Sequence, residues 1–334
     1  MAAPTFEHLQ GGGRRRPDAY EEVSAYMQWG ETFRGKFPDL PYDGVYYHYP
    51  PDYKLGYWDP SKTAWKSDRW ESFRDPYRLT YQSYHEIQSE REVALDAVLA
   101  AARAENAVRH LDEEWVAVLR LFFAPMRFPE WGISMAHQYV GRFAISGLIA
   151  NCAALQWFDE LRHTQRIAEW TRDLEAAHGG FSNYRTQWLE DELFQPLREY
   201  IERVCVCKDW GEVIVATNLV LEPLLQPVLY ATLSQLGSAH RDTVLPHFAY
   251  SIYLDEERHW GWARALATML HEESEANAEL TQTWRDRWQP LADRAVAAFR
   301  PVFSAAGGEG VFDRAYEDAS AAVRESFEPA AVEG

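Results

Sequence analysis

Two short segments constrain this chain more than anything else in it: Asp159-Glu160-Leu161-Arg162-His163 and Asp255-Glu256-Glu257-Arg258-His259. Each sets a glutamate and a histidine three residues apart in a stretch of helical composition, so the two side chains share one helix face. A carboxylate oxygen and an imidazole nitrogen so placed can hold one metal ion. Two such helices facing one another supply much of the ligand set of a diiron or dimanganese centre. The remaining ligands of such a bundle are single glutamates on two further helices. Glu130 lies 30 residues before Glu160 and Glu222 lies 34 before Glu256, each about one long helix and a turn away. A single Glu-x-x-His is usually a solvated helix face. Its repetition here, with Asp before Glu and Arg before His both times, points instead to a metal-type core in which the flanking Asp and Arg orient the imidazoles.

The rest of the chain agrees with a bundle. From Tyr77 onward apolar residues recur at helical spacing, predicting helices over roughly 77–104, 112–125, 130–153, 155–177, 184–203, 208–236, 240–271, 276–301 and 309–326. Gly179-Gly180 closes the fourth. Strand signals and internal repeats are nearly absent, so the fold class is all-α. Residues 1–60 read differently: five prolines fall from Pro38 to Pro60, with Tyr42, Tyr46, Tyr47, Tyr49, Tyr53, Tyr57 and Trp58 among them. Such a segment is extended and cannot bury its own rings, so it is expected to drape over a partner. The expected organisation is an arm over 1–60, a helical domain over 61–305, and a C-terminal helix and tail over 306–334.

Composition excludes several classes of function. With 33 Lys and Arg against 51 Asp and Glu, the net charge of −18 repels nucleic acid and anionic membranes. No apolar core follows Arg14-Arg15-Arg16 as in a signal peptide, and no 18-residue apolar stretch stands out later, so no membrane association is expected. Three cysteines, two of them one residue apart, suit neither a zinc knuckle nor a disulfide framework; a cytoplasmic location is expected. No phosphate loop, dinucleotide fingerprint or Ser-His-Asp arrangement is present.

The order Glu130, Glu160-x-x-His163, Glu222, Glu256-x-x-His259 resembles the diiron carboxylate pattern of the bacterial multicomponent monooxygenases that act on methane, alkenes, toluene and phenol. Trp70 to Pro76, Leu79-Thr80-Tyr81, Asn218 to Val220 with Glu222-Pro223, and Trp284 with Trp288 to Ala295 resemble the β rather than the α hydroxylase chains of that family, of the toluene and alkene monooxygenase type. The likeness covers nearly all of residues 20–300. It implies a ferritin-like four-helix-bundle core with additional helices and an extended N-terminal arm. It also implies a supporting β subunit in an (αβ)₂ or (αβγ)₂ complex with the catalytic α subunit and a small γ subunit. That complex would be served by a regulatory protein, a ferredoxin and an NADH reductase, and would oxidise an alkene or aromatic hydrocarbon at a diiron centre in α.

One turn after its third glutamate a working α chain carries a threonine, where this sequence has Gln226 and then Pro227. The expectation is therefore no catalytic residue here, with the six Glu and His as a relic set, neutralised by Arg162 and Arg258, and iron held in α rather than in this chain. Pro223 and Pro227 are expected to kink their helix, and Pro129 to place Glu130 at a helix start or bend. The alternative is a stand-alone dimetal oxidase using all six residues. His85, His110, His137, His178, His240, His247 and His271 lack matching partners, and Cys205 and Cys207 read as structural. Trp131, Trp157 and Trp170 are expected to pack between helices.

Overall fold

The chain is described by a computed structural model over residues 18–20, 62–308 and 310–325. All seven rings of the proposed arm, from Tyr42 to Trp58, lie outside the described residues. Of the arm, Tyr20 is buried; its hydroxyl accepts the Asp75 N–H at 3.0 Å, and Asp18 pairs with Arg78.

Eleven helices make up the described body, with no strand among the described residues. They are α1 (Tyr81–Ala104), α2 (Glu113–Phe122), α3 (Arg127–Phe143), α4 (Gly147–His178), α5 (Tyr184–Glu190), α6 (Gln195–Cys205), α7 (Trp210–Ala239), α8 (Leu245–Glu273), α9 (Glu275–Ala297), α10 (Arg300–Ala305) and α11 (Val311–Glu325). Local chemistry sets their ends. Thr80 and Ser83 form a reciprocal capping box that starts α1. Gly179, at φ +68°, ends α4, where a residue with a Cβ would be strained. Asp209 caps α7 through the N–H groups of Gly211 and Glu212, and Asp242 receives those of Val244 and Leu245 where α8 begins.

Two departures from the expected helix boundaries have local causes. The helices expected over 130–153 and 155–177 break instead at 144–146, because Ser146 leaves helical geometry and caps α4 through the Leu148 N–H. The one expected over 184–203 divides at Asp191, whose carboxylate takes the Leu193 N–H, and Pro196 occupies the first turn of the next helix, where its missing donor costs nothing. At Pro223 and Pro227, where a kink was expected, the hydrogen-bond register of α7 changes. The chain passes them by loosening to π-type winding over Val215–Leu221 and Pro227–Thr232 on either side of Glu222–Gln226.

α3, α4, α7 and α8 form the central bundle: α3 runs along α4, α8 packs on α4 and α7, and α1 and α9 cover α8. α7 is long and apolar enough to cross a membrane by length and composition, which corrects the expectation that no such stretch exists. It is apolar all round because protein surrounds it, with 94% of its apolar window buried. Trp65, Trp210 and Trp284 meet edge-on beside its N-terminus, with ring centroids 6.1 and 5.2 Å from Trp65. Of the three tryptophans expected between helices, Trp170 is buried and Trp157 stacks on Phe158, whereas Trp131 is half exposed. Trp131 follows Glu130 directly, and the face turning Glu130 inward turns its neighbour outward.

Candidate metal centre

Glu130 on α3, Glu160 and His163 on α4, Glu222 on α7, and Glu256 and His259 on α8 converge at the centre of the bundle, none more than 1% exposed. All six residues singled out in the sequence are thus brought together. Pro129 lies in the first turn of α3 and sets Glu130 at its start. The α-helical turn Glu222–Gln226 aims both of its polar ends at the cluster, and Gln226 Nε2 donates to Glu256 Oε1 at 3.2 Å.

The two histidines are braced crosswise. His163 Nε2 lies 3.1 Å from Asp255 Oδ2 on the opposite helix, and His259 Nε2 lies 3.0 Å from Asp159 Oδ2. Each aspartate of the repeated motif therefore holds the histidine of the other copy, and each is matched by the other copy's arginine: Arg162 to Asp255 at 2.5 Å, and Arg258 to Asp159. The arginines were expected to neutralise the glutamates. They reach the aspartates instead, because at i+2 from Glu they leave the glutamate face of the helix. Arg91 adds a second cation on Asp255, the Tyr84 hydroxyl donates to Asp159 Oδ1 at 2.8 Å, and Gln88 Nε2 bridges Asp159 and Asp255 at 2.6 and 2.7 Å. Sequence reasoning missed Tyr84, Gln88 and Arg91; their spacing on α1 is the signal that could have found them.

Inside this frame, Nδ1 of each ring faces the glutamates. His163 Nδ1 is 3.2 Å from Glu130 Oε2 and 3.6 Å from Glu160 Oε2. His259 Nδ1 is 3.4 Å from Glu160 Oε1, 3.6 Å from Glu256 Oε2 and 3.9 Å from Glu222 Oε2. Glu130 Oε1 accepts the Tyr230 hydroxyl at 2.7 Å, and Glu222 Oε1 accepts the Gln156 amide at 3.1 Å. That amide is fixed by Asn218 and Trp262, both donating to its oxygen.

Crowding and burial separate these groups electrostatically. Burial, then the neighbouring carboxylates, pushes Glu160 and Glu256 well above the usual carboxylate range and Glu222 up to about 8. Burial works in the same direction on Glu130, but His163, Glu160 and the Tyr230 hydroxyl together outweigh it and hold that carboxyl low. The two histidines diverge: burial alone would lower His163, yet Asp255 and Glu130, to which it is hydrogen-bonded, and the nearby Glu160 carboxylate raise it well above the usual value. His259 is driven well below by burial and by the Arg258 charge.

Both oxygens of Glu160, Oε2 of Glu222, Oε2 of Glu256 and Nδ1 of His259 have no hydrogen-bond partner despite complete burial. Unpaired buried acceptors are costly unless a cation or proton meets them. One donor atom each from Glu130, Glu160, His163 and Glu256, and likewise from Glu160, Glu222 and His259, lie mutually within 4.8 Å. Carboxylates with imidazole suit iron, manganese or zinc, so the residues present fit a metal. The other histidines do not gather: His178 bonds the Val108 carbonyl, His240 stacks on Trp115, and His271 meets Thr281. The cysteines are free, with Cys152 buried and Cys205 exposed.

The profile of the family described as methane/phenol/alkene hydroxylase matches residues 45–274. The chain belongs to this family. It is 28% identical over 306 residues to the toluene-4-monooxygenase hydroxylase component subunit beta of Ectopseudomonas mendocina, covering 90% of each chain. It is 26% identical over 295 residues to the phenol 2-monooxygenase oxygenase component DmpL of Pseudomonas sp. (strain CF600), covering 86% of this chain and 87% of that one. A solved structure of toluene 4-monooxygenase with toluene in its resting active site contains a chain that superposes with a TM-score of 0.78 at 28% identity, over 90% of this chain and 97% of that chain. Family membership and superposition both bear out the ferritin-like helical core.

Proposed function

We propose that this chain is the supporting β subunit of the hydroxylase component of a multicomponent monooxygenase. The observation that carries this reading is the end-to-end match with a hydroxylase β subunit, 90% of each chain. A diiron centre in the partner α subunit would supply the insertion of one oxygen atom into an alkene or aromatic hydrocarbon. This chain's own residues take no catalytic part: its bundle buttresses α, and the arm over 1–60 wraps it. The assembly is (αβ)₂, or (αβγ)₂ with a small γ chain, fed with NADH electrons through a reductase and ferredoxin and assisted by a regulatory protein. The cytoplasm is its compartment, in keeping with three unpaired cysteines.

Co-expression with a hydroxylase α subunit of this family tests the reading. The expected result is a stable complex whose NADH-dependent hydroxylation is lost when this chain is omitted. A hydroxylase fully active without it would overturn the proposal. The retained set of Glu130, Glu160, His163, Glu222, Glu256 and His259 favours a second reading, a stand-alone dimetal oxidase. Oxygen consumption by the isolated, metal-loaded chain would distinguish that case.

A further inference from the structure

α8 turns Glu256 and His259 into the bundle, and its opposite side is not the charged surface that a solvated helix carries. At 100° per residue, Tyr250, Tyr253, Glu257, Trp260 and Arg264 fall within an arc of about 80° and run about 21 Å along the helix. Three of the five are aromatic, and Tyr250 is 61% exposed.

The rings make a shelf along this side. Tyr253 and Trp260 meet edge-on, with ring centroids 5.8 Å apart. Tyr77, from the turn before α1, lies across the helix and donates its hydroxyl to the Glu257 carbonyl at 2.8 Å. Only glycine at 261 permits that approach, since a Cβ there would sit 2.3 Å from the Tyr77 hydroxyl oxygen. Tyr77 nevertheless stays 43% exposed. Trp260 is 8% exposed, and among the described residues its indole N–H finds no acceptor. A buried donor left in that state costs free energy until an acceptor meets it. Glu257 and Arg264 are exposed among the rings and offer a charge of each sign.

The arm joins the body at the edge of this shelf. The Tyr20 hydroxyl takes the Asp75 N–H at 3.0 Å and the Arg78 guanidinium lies 5.1 Å over the Tyr20 ring, two contacts that flank Tyr77 in the chain. A protein wrapped by the arm is therefore held at high effective concentration against α8. We infer that the outward stripe of α8, together with Tyr77, is a docking seam for one α-helix of the hydroxylase α subunit. A straight stripe of this length suits a helix whose apolar side chains sit between the rings and which offers an acceptor to the Trp260 N–H. Tyr, Trp and Arg are the residues that carry most binding energy in such seams. The inference rests on the β-subunit reading and adds to it the face by which the body meets α.

The test assembles the full chain with a hydroxylase α subunit of this family. Amide hydrogen exchange over residues 250–264 should slow on assembly. Tyr250→Glu puts a charge into the seam at an exposed position. It should weaken assembly about 10-fold or more in analytical ultracentrifugation and leave the unfolding midpoint of the free chain unchanged. Val206→Glu, at another exposed apolar position at the end of α6, should do neither. Trp260→Phe, which removes the unpaired donor and keeps a ring, should also weaken the complex. A complex that leaves exchange on α8 unaltered and tolerates Tyr250→Glu would overturn the seam and keep the β-subunit reading. Failure of the unaltered chain to assemble would overturn both. A dimer of the free chain abolished by Tyr250→Glu would give this face to a second copy and overturn its assignment to α.

Discussion

Asp159 shows how much one buried side chain can carry. It receives Tyr84, Gln88, His259 and the Arg258 guanidinium, and is itself fully buried. Asp159→Ala leaves Arg258 buried without its counter-charge, a loss expected to cost about 3–5 kcal/mol in urea unfolding. A companion Arg258→Met should recover a good part of that, and an unaltered cost in the double variant would show the pair is not the source. His137 makes a second residue-scale case. Burial pushes its imidazole down to about 4, while Nε2 faces Asn218 Oδ1 at 2.8 Å. The folded state therefore disfavours a proton that the unfolded chain accepts near pH 6.5. Stability is full above that value and is lost as pH falls towards 4. Between pH 7 and 5 the chain should lose about 2 kcal/mol through this group, and His137→Gln should flatten that slope.

At the scale of elements, the segment before α1 is tied to the bundle by contacts that leave no room for change. Trp65 is wholly buried, donates through Nε1 to Thr281 at 3.0 Å, and lies against α7 where Gly211 has no side chain. A Cβ at Gly211 would sit 2.5 Å from Trp65 Cε3 and 2.7 Å from Thr63 Oγ1. Gly211→Ala must displace a rigid indole, at an expected cost of about 1–3 kcal/mol by thermal or urea unfolding. Ser146→Ala, which removes the cap that divides α3 from α4, should cost about 1 kcal/mol in the same assay. The winding of α7 matters for the site itself. Tyr230 follows Glu222 by eight residues, which in regular α-helix would set it about 80° around the axis. The looser turn over Pro227–Thr232 reduces that offset, so that both side chains reach the cluster.

At the scale of the molecule, Tyr81, Val93, Phe158 and Tyr250 are exposed by 72, 67, 42 and 61%, large apolar side chains of the kind that subunit contacts cover. Removal of residues 1–60 tests the arm's share in such contacts. Among the described residues of the arm, Tyr20 packs on the core and bonds Asp75, and Asp18 pairs with Arg78, while the helices keep their own core without them, so the truncated chain is expected to remain soluble and folded by circular dichroism. It should no longer co-purify with α; unchanged co-purification would assign binding to the helical body alone.

The helical class, the convergence of Glu130, Glu160, His163, Glu222, Glu256 and His259, and the supporting place of Asp159 and Asp255 could be read from the sequence. Helix periodicity and the i, i+3 relation are local rules, and a motif repeated with the same neighbours carries its own geometry. Tertiary structure decided the rest. Which arginine meets which aspartate depends on how α4 and α8 cross, and the accommodation of Pro223 and Pro227 depends on the shift of α7 to π-type winding on either side of Glu222–Gln226. The inequality of His163 and His259 also arises only in the assembled bundle. Glu130 and Tyr230 come from different helices to occupy one ring's side of the cluster and leave the other open, and a linear pattern that presents the two motifs as equals has no means of recording that.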